Sequence, residues 1–205
     1  MQKKMMNGIT LLNAAKIIAK TGEQLEGMIE ILENKLIKEL TDDEKKIRVE
    51  SSSVDQENSV GEWLLQTFLF NVALFVGRKT KPSGHIAIQI VLYNENEIEI
   101  SGWEPSLYVM YEADDRAIEI GSFFLSEILE EGCTLDNNRL WRWDEGWGFV
   151  VPLVKLNSEE DLARQIVEPV KKLFNNIEAA SAFPADSIAF HFEIDGDTLC
   201  VKEAE

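Results

Sequence analysis

The chain is poor in the residues from which dedicated chemistry is usually built. Its 205 residues include two cysteines and two histidines. Cys133 and Cys200 are too few for a disulfide framework and match no metal-ligand spacing, so they read as reduced, partly buried thiols. Four scattered His and Cys side chains make a weak case for zinc. Cys200 with His191, or Cys133 with His85, are candidate thiol dyads, and no local signature supports either. There is no GxGxxG, no GxxxxGK followed by Ser or Thr, and no GxSxG, which removes the readable phosphate loops and the nucleophile elbow. Long apolar runs are missing too. Trp63–Val76 is interrupted by Gln66 and Asn71 and is shorter than the ~20 residues a bilayer requires. Leu11–Ala19 is broken by Asn13 and Lys16, so no signal peptide is read and a cytoplasmic protein is expected.

Basic residues are also scarce, with 20 Lys and Arg against 37 Asp and Glu, a net charge of −17. The imbalance is local. Residues 1–48 are nearly neutral at +1, whereas 49–205 carry −18. Tyr93–Glu145 alone holds 14 acids against Arg116, Arg139 and Arg142, net −11. Such a segment repels nucleic acid and anionic membrane and attracts cationic partners. Metal-dependent nuclease chemistry needs an acid on one strand and Glu-x-Lys on the next. Glu33-Asn34-Lys35 and Glu44-Lys45-Lys46 have that spelling but fall in the front helix or the segment after it, and no basic groove accompanies them.

What is present is ordinary globular material, 45% hydrophobic and 9% aromatic, too apolar for a disordered chain. Leu11, Ala15, Ile18, Gly22, Leu25, Ile29, Leu32 and Leu36 recur at alternating spacings of four and three, an a/d seam. Thr21 and Gln24 resemble a capping box, so either one helix runs past Gly22 or two meet there. The seam is either core-facing or a homodimer contact. Thr41–Ser59, with Ser51-Ser52-Ser53 and no aliphatic period, reads as polar linker. Ser59 with Glu62 suggests a short helix over Val60–Thr67.

Beyond it, alternation predicts strands over Phe70–Arg78, then Ile86 to Leu92 after the Lys81–Gly84 turn, Ile98–Ile100, Leu107–Tyr111 and Ile118–Ile120. Ser122–Glu131 reads as a helix ended by Gly132. Arg139–Asp144 and Trp147–Leu153 form a hairpin turned at Asp144-Glu145-Gly146. Ser158 with Asp161 caps a helix that Pro169 should kink or divide. Ile188–Ile194 and Leu199–Val201 flank an Asp-Gly hairpin turn. The expected class is α+β: a mainly antiparallel meander with helices on one face and acids on its wet face, preceded by a helical extension. The expected division is 1–48 extension (helix Gly8–Leu40), 49–58 linker and 59–205 domain.

Two sets of residues are candidate sites. Glu97, Glu99, Glu104, Glu112, Asp114, Asp115 and Glu119 are expected on the wet face, where they would meet a basic protein partner. Trp141, Trp143, Trp147 and Phe149 are the alternative, an aromatic hairpin suited to a planar ligand or a protein hot spot, or simply core. The acidic pairs Asp114-Asp115, Glu130-Glu131 and Asp144-Glu145 are unspecific. Asp195-Gly196-Asp197 lacks the further oxygens of a calcium loop. No cofactor or metal is expected. The function expected is a non-catalytic acidic interaction domain (adaptor, inhibitor or immunity-type protein). The alternatives are an enzyme or small-molecule binder with its pocket at the Trp141–Phe149 hairpin, and a structural oligomerisation protein.

Overall fold

The computed structural model describes residues 8–58, 65–93, 100, 102–120, 125, 132–195 and 198–202. One helix, α1 (Gly8–Leu40), runs straight through Gly22, so the Thr21–Gln24 capping box does not form. Its second half is amphipathic, and Leu25, Ile29, Leu32, Leu36 and Leu40 are buried against the sheet.

The polar stretch after it is no linker. Residues Ile47–Asn58 form strand β1, paired antiparallel to β2 (Leu65–Val76) with a bulge at Ser51–Ser53. β1 has no other neighbour, and an edge strand can be polar on both faces because only one side pairs and little is covered. The absent aliphatic period reflects that position, with Val49 its one buried hydrophobe. Since β2 begins at Leu65, residues 65–67 are strand rather than the end of a helix. The rest of the Val60–Thr67 expectation lies outside the described residues.

The runs around Phe70–Arg78, Ile86–Leu92, Leu107–Tyr111 and the Arg139–Leu153 hairpin fold as strands. β3 (Gly84–Val91) follows the Lys81–Gly84 turn, and β4 (Ser106–Glu112) pairs beside it. The chain then travels to the far edge, laying β5 (Thr134–Asp136) outermost before β6 (Leu140–Trp143) and β7 (Gly146–Pro152) step back inward. β7 pairs with β4, giving an all-antiparallel sheet in the order β1-β2-β3-β4-β7-β6-β5.

Helices cover one face. Ser158 caps α2 (Glu159–Leu162), its hydroxyl accepting from the Asp161 N–H while Asp161 Oδ2 accepts from the Ser158 hydroxyl and the Asn157 N–H. Pro169 has no N–H to give the preceding turn. The run widens there to a π-helix (Ala163–Val167) and resumes as α3 (Glu168–Phe174), so the chain changes register rather than breaking. A short α4 (Ala179–Ala182) follows. Phe70, Val72, Ile86, Ile88, Val109 and Phe149 meet these helices in one core.

The opposite face is not wet. Every residue of β3 is buried, which requires cover on both sides. The second cover is a hairpin of β8 (His191–Asp195) and β9 (Thr198–Lys202), with Phe190, Phe192 and Leu199 packed on Leu69, Ala87, Tyr108, Met110 and Trp141. Phe190 N–H donates to the Val150 carbonyl where β6 has ended, and Phe192 N–H to that of Asn138. Residues 113–120 join this layer without forming a strand. Instead the Asn71 side chain takes both backbone groups of Ile118, Nδ2 donating to its carbonyl at 3.0 Å and Oδ1 accepting from its N–H at 3.2 Å. Of the Ser122–Glu131 expectation only Leu125, helical and buried, is described. Gly132 is left-handed at φ +72°, as a residue just past a helix would be. Ile98 and the Asp195-Gly196-Asp197 turn itself lie largely outside the described residues.

Candidate functional site

The acidic residues do not share a face. Glu97 and Glu99 lie outside the described residues. Glu104 precedes β4 and Glu112 ends it, which puts them at opposite ends of the sheet, about 25 Å apart at strand rise. Glu119 is exposed on the covering segment. Glu112, Asp114 and Asp115 do cluster, where β4 leaves the sheet. Asp114 accepts from the Arg116 side chain and backbone N–H, which holds its carboxyl down at about 2. Asp115 pairs with Lys81 at 2.7 Å. Burial, reinforced by Asp114 and Glu145, pushes the Glu112 carboxyl above its usual range against the pull of Arg116.

The aromatic hairpin divides between the faces. Trp141 and Trp143 pair with Gly148 and Gly146, so their rings lie on the β8–β9 side, across positions without a side chain. A Cβ at Gly146 would collide with the Trp143 indole and the Tyr111 carbonyl. Trp147 and Phe149 face the helices. Trp141 and Phe149 are wholly buried and serve as core.

Register then brings the two candidate sets together at one end of the molecule. Tyr111 sits opposite Trp147 and Glu112 opposite Gly146, and the Ala113 N–H donates to the Glu145 carbonyl at 2.9 Å. The β6–β7 turn, Asp144-Glu145, therefore lies against the acidic exit of β4. Between that turn and the end of α3 opens a cleft of about 470 Å³. Tyr111, Trp147 and Phe174 form its aromatic wall, with Tyr111 5.7 Å from Trp147 and edge-on to Phe174 at 5.8 Å. Trp143, Asp144, Glu145 and Glu178 stand around it, with Arg142. Arg142 is engaged by Asp136 at 3.0 Å. Among the described residues, no ion pair reaches Asp144, Glu145 or Glu178.

Trp143, Trp147 and the Asp144-Glu145 turn were visible in the sequence. Tyr111, Phe174 and Glu178 were not, because they reach the cleft from segments that only the sheet register and the helix end bring there. The two histidines of the candidate thiol dyads have other neighbours: His85 Nδ1 lies 3.2 Å from the Asp114 carbonyl, and His191 Nε2 lies 2.9 Å from Asn138 Nδ2. Cys133 and Cys200 are both half-buried. Among the described residues no cluster of three or more His, Cys, Asp or Glu is arranged to hold a metal, and no helix is long and apolar enough to cross a membrane.

No family model matches the chain, and neither a curated protein nor a solved structure is similar to it.

Proposed function

We propose that this protein is a non-catalytic interaction domain that binds a basic protein partner, through the end of the sheet where β4 leaves and β6 turns into β7. The observation that carries this reading is the convergence of Glu112, Asp114, Asp115, Asp144 and Glu145 on that end, beside a concave aromatic wall. Like charges on one surface steer an oppositely charged partner and mostly raise its association rate. Two cysteines in 205 residues, too few for a disulfide framework, support a reducing, cytoplasmic setting.

The test is kinetic. A partner captured from the native host is titrated against wild type and an Asp144→Lys, Glu145→Lys double variant, both exposed positions. Association should slow about tenfold in the variant and to a similar degree in wild type at raised salt, with the melting temperature unchanged. Association indifferent to both changes sinks the reading. A second reading, a small-molecule binding domain, rests on the concave shape of the cleft and the three aromatic side chains that line it.

A further inference from the structure

We infer that the cleft between the β6–β7 turn and the end of α3 takes an arginine side chain of the partner. This assignment rests on the interaction reading above and names the contact at its centre. The aromatic groups come from three separate elements. Tyr111 is the last residue but one of β4, Trp147 the second of β7, and Phe174 closes α3, and together they line one side of the space. The π-faces of such rings attract a cation, and more strongly where water is partly excluded. Asp144, Glu145 and Glu178 stand at the mouth, exposed and without an ion pair among the described residues. Against them the lining holds one cation, Arg142, whose charge is answered by Asp136.

An aromatic wall beside carboxylates suits a guanidinium better than an ammonium. The guanidinium is planar, weakly hydrated, stacks on rings and meets a carboxylate through paired N–H groups, whereas the ammonium is a compact and strongly hydrated point charge. The fold already holds one guanidinium this way, with Arg48 4.4 Å from the centre of the Phe75 ring. A volume of about 470 Å³ also leaves room for the apolar stem of the side chain and its flanking backbone.

The full-length protein alone suffices for the test. N-acetylarginine methylamide, the corresponding citrulline derivative and the lysine derivative are titrated at millimolar concentration while the indole N–H signals of the five tryptophans are followed by NMR. Citrulline keeps the shape of arginine without the charge. The arginine compound should shift the Trp147 signal, leave those of Trp103 and Trp141 in place, and bind about tenfold tighter than the citrulline compound. Asp144→Asn, Glu145→Gln and Glu178→Gln together, all exposed and checked by melting temperature, should abolish that preference. Phe174→Leu should weaken binding of the arginine compound. Equal binding of citrulline, tighter binding of lysine, or no shift at Trp147 each overturns the assignment. If the cleft is silent while partner association still slows with charge reversal and salt, the interaction reading stands and the contact lies elsewhere on the acidic end. If both are silent, both readings fall.

Discussion

His85 is the residue whose environment most departs from what its sequence position suggests. It opens a strand after Gly84, yet it is 2% exposed, pressed under the loop that carries Asp114 and Asp115. Burial lowers its pKa below the ordinary value of 6.5, outweighing the Asp114 carbonyl and the two carboxylates, which act to raise it. The folded state therefore keeps a neutral imidazole to a lower pH than the unfolded chain does. As pH drops below 6.5 the unfolded chain takes up a proton that the folded one refuses. Stability falls through that window and levels off below the folded pKa. Melting followed from pH 7.5 to 5 should show a steeper loss for wild type than for His85→Gln, whatever the variant's starting stability. Parallel curves would mean the ring titrates as freely in the fold as outside it. Because His85 anchors the Asp114 loop, acidification should loosen the acidic end before the rest of the sheet.

At the scale of elements, α1 shows how far a sequence pattern carries. The four-three spacing is continuous from Leu11 to Leu36, and the helix is continuous too. Leu25, Ile29, Leu32 and Leu36 belong to the core of their own sheet, whereas Ile17 is 67% exposed. Spacing cannot distinguish a sheet from a second helix as the thing covered, because both need the same stripe. Leu32→Ala should therefore cost about 3 kcal/mol in unfolding experiments, and charges at Leu25 and Ile29 should unfold the body rather than separate subunits. The homodimer proposal rests on the first half of the helix. If it holds, light scattering gives a dimer for wild type and a monomer for a Leu11→Asp, Ile18→Asp double variant of that seam, with an unshifted melting temperature. A monomeric wild type at high concentration removes it.

The strands that read clearly, β3, β4 and β7, are central ones, where burial forces a sustained apolar pattern. β1 was illegible because an edge needs no such pattern. Ile118 and Ile120 imitated a strand because two isoleucines two apart fit an extended segment of any kind, and only Asn71, distant in sequence, fixes what it became. The aromatic part of the cleft was legible in Trp143 and Trp147. Its completion was not, since Phe174 and Glu178 arrive from a helix end whose position depends on the π turn before Pro169.

At the scale of the whole molecule, the sheet order divides the fold into two runs of neighbouring strands, β1 to β4 and β5 to β7, joined only where β4 meets β7. Each run is assembled from sequence-adjacent strands. The junction instead closes a loop of roughly thirty residues, which adds about 2 kcal/mol of chain entropy over a four-residue turn. Both covering layers straddle it: Phe149 and Val109 share the helix-side core, and Trp141 and Met110 the other. Amide exchange under native conditions should accordingly find the β4–β7 bonds opening only with global unfolding, with slower exchange than at β1–β2. Exchange at β4–β7 as fast as at that edge would show two sub-globally independent halves. The timing of folding follows from the same junction. Both local runs can form early and on their own, but the cleft has one wall from each, Tyr111 on β4 and Trp147 on β7. It exists only once the last long-range pairing has formed, so a chain that has not finished folding lacks the cleft altogether.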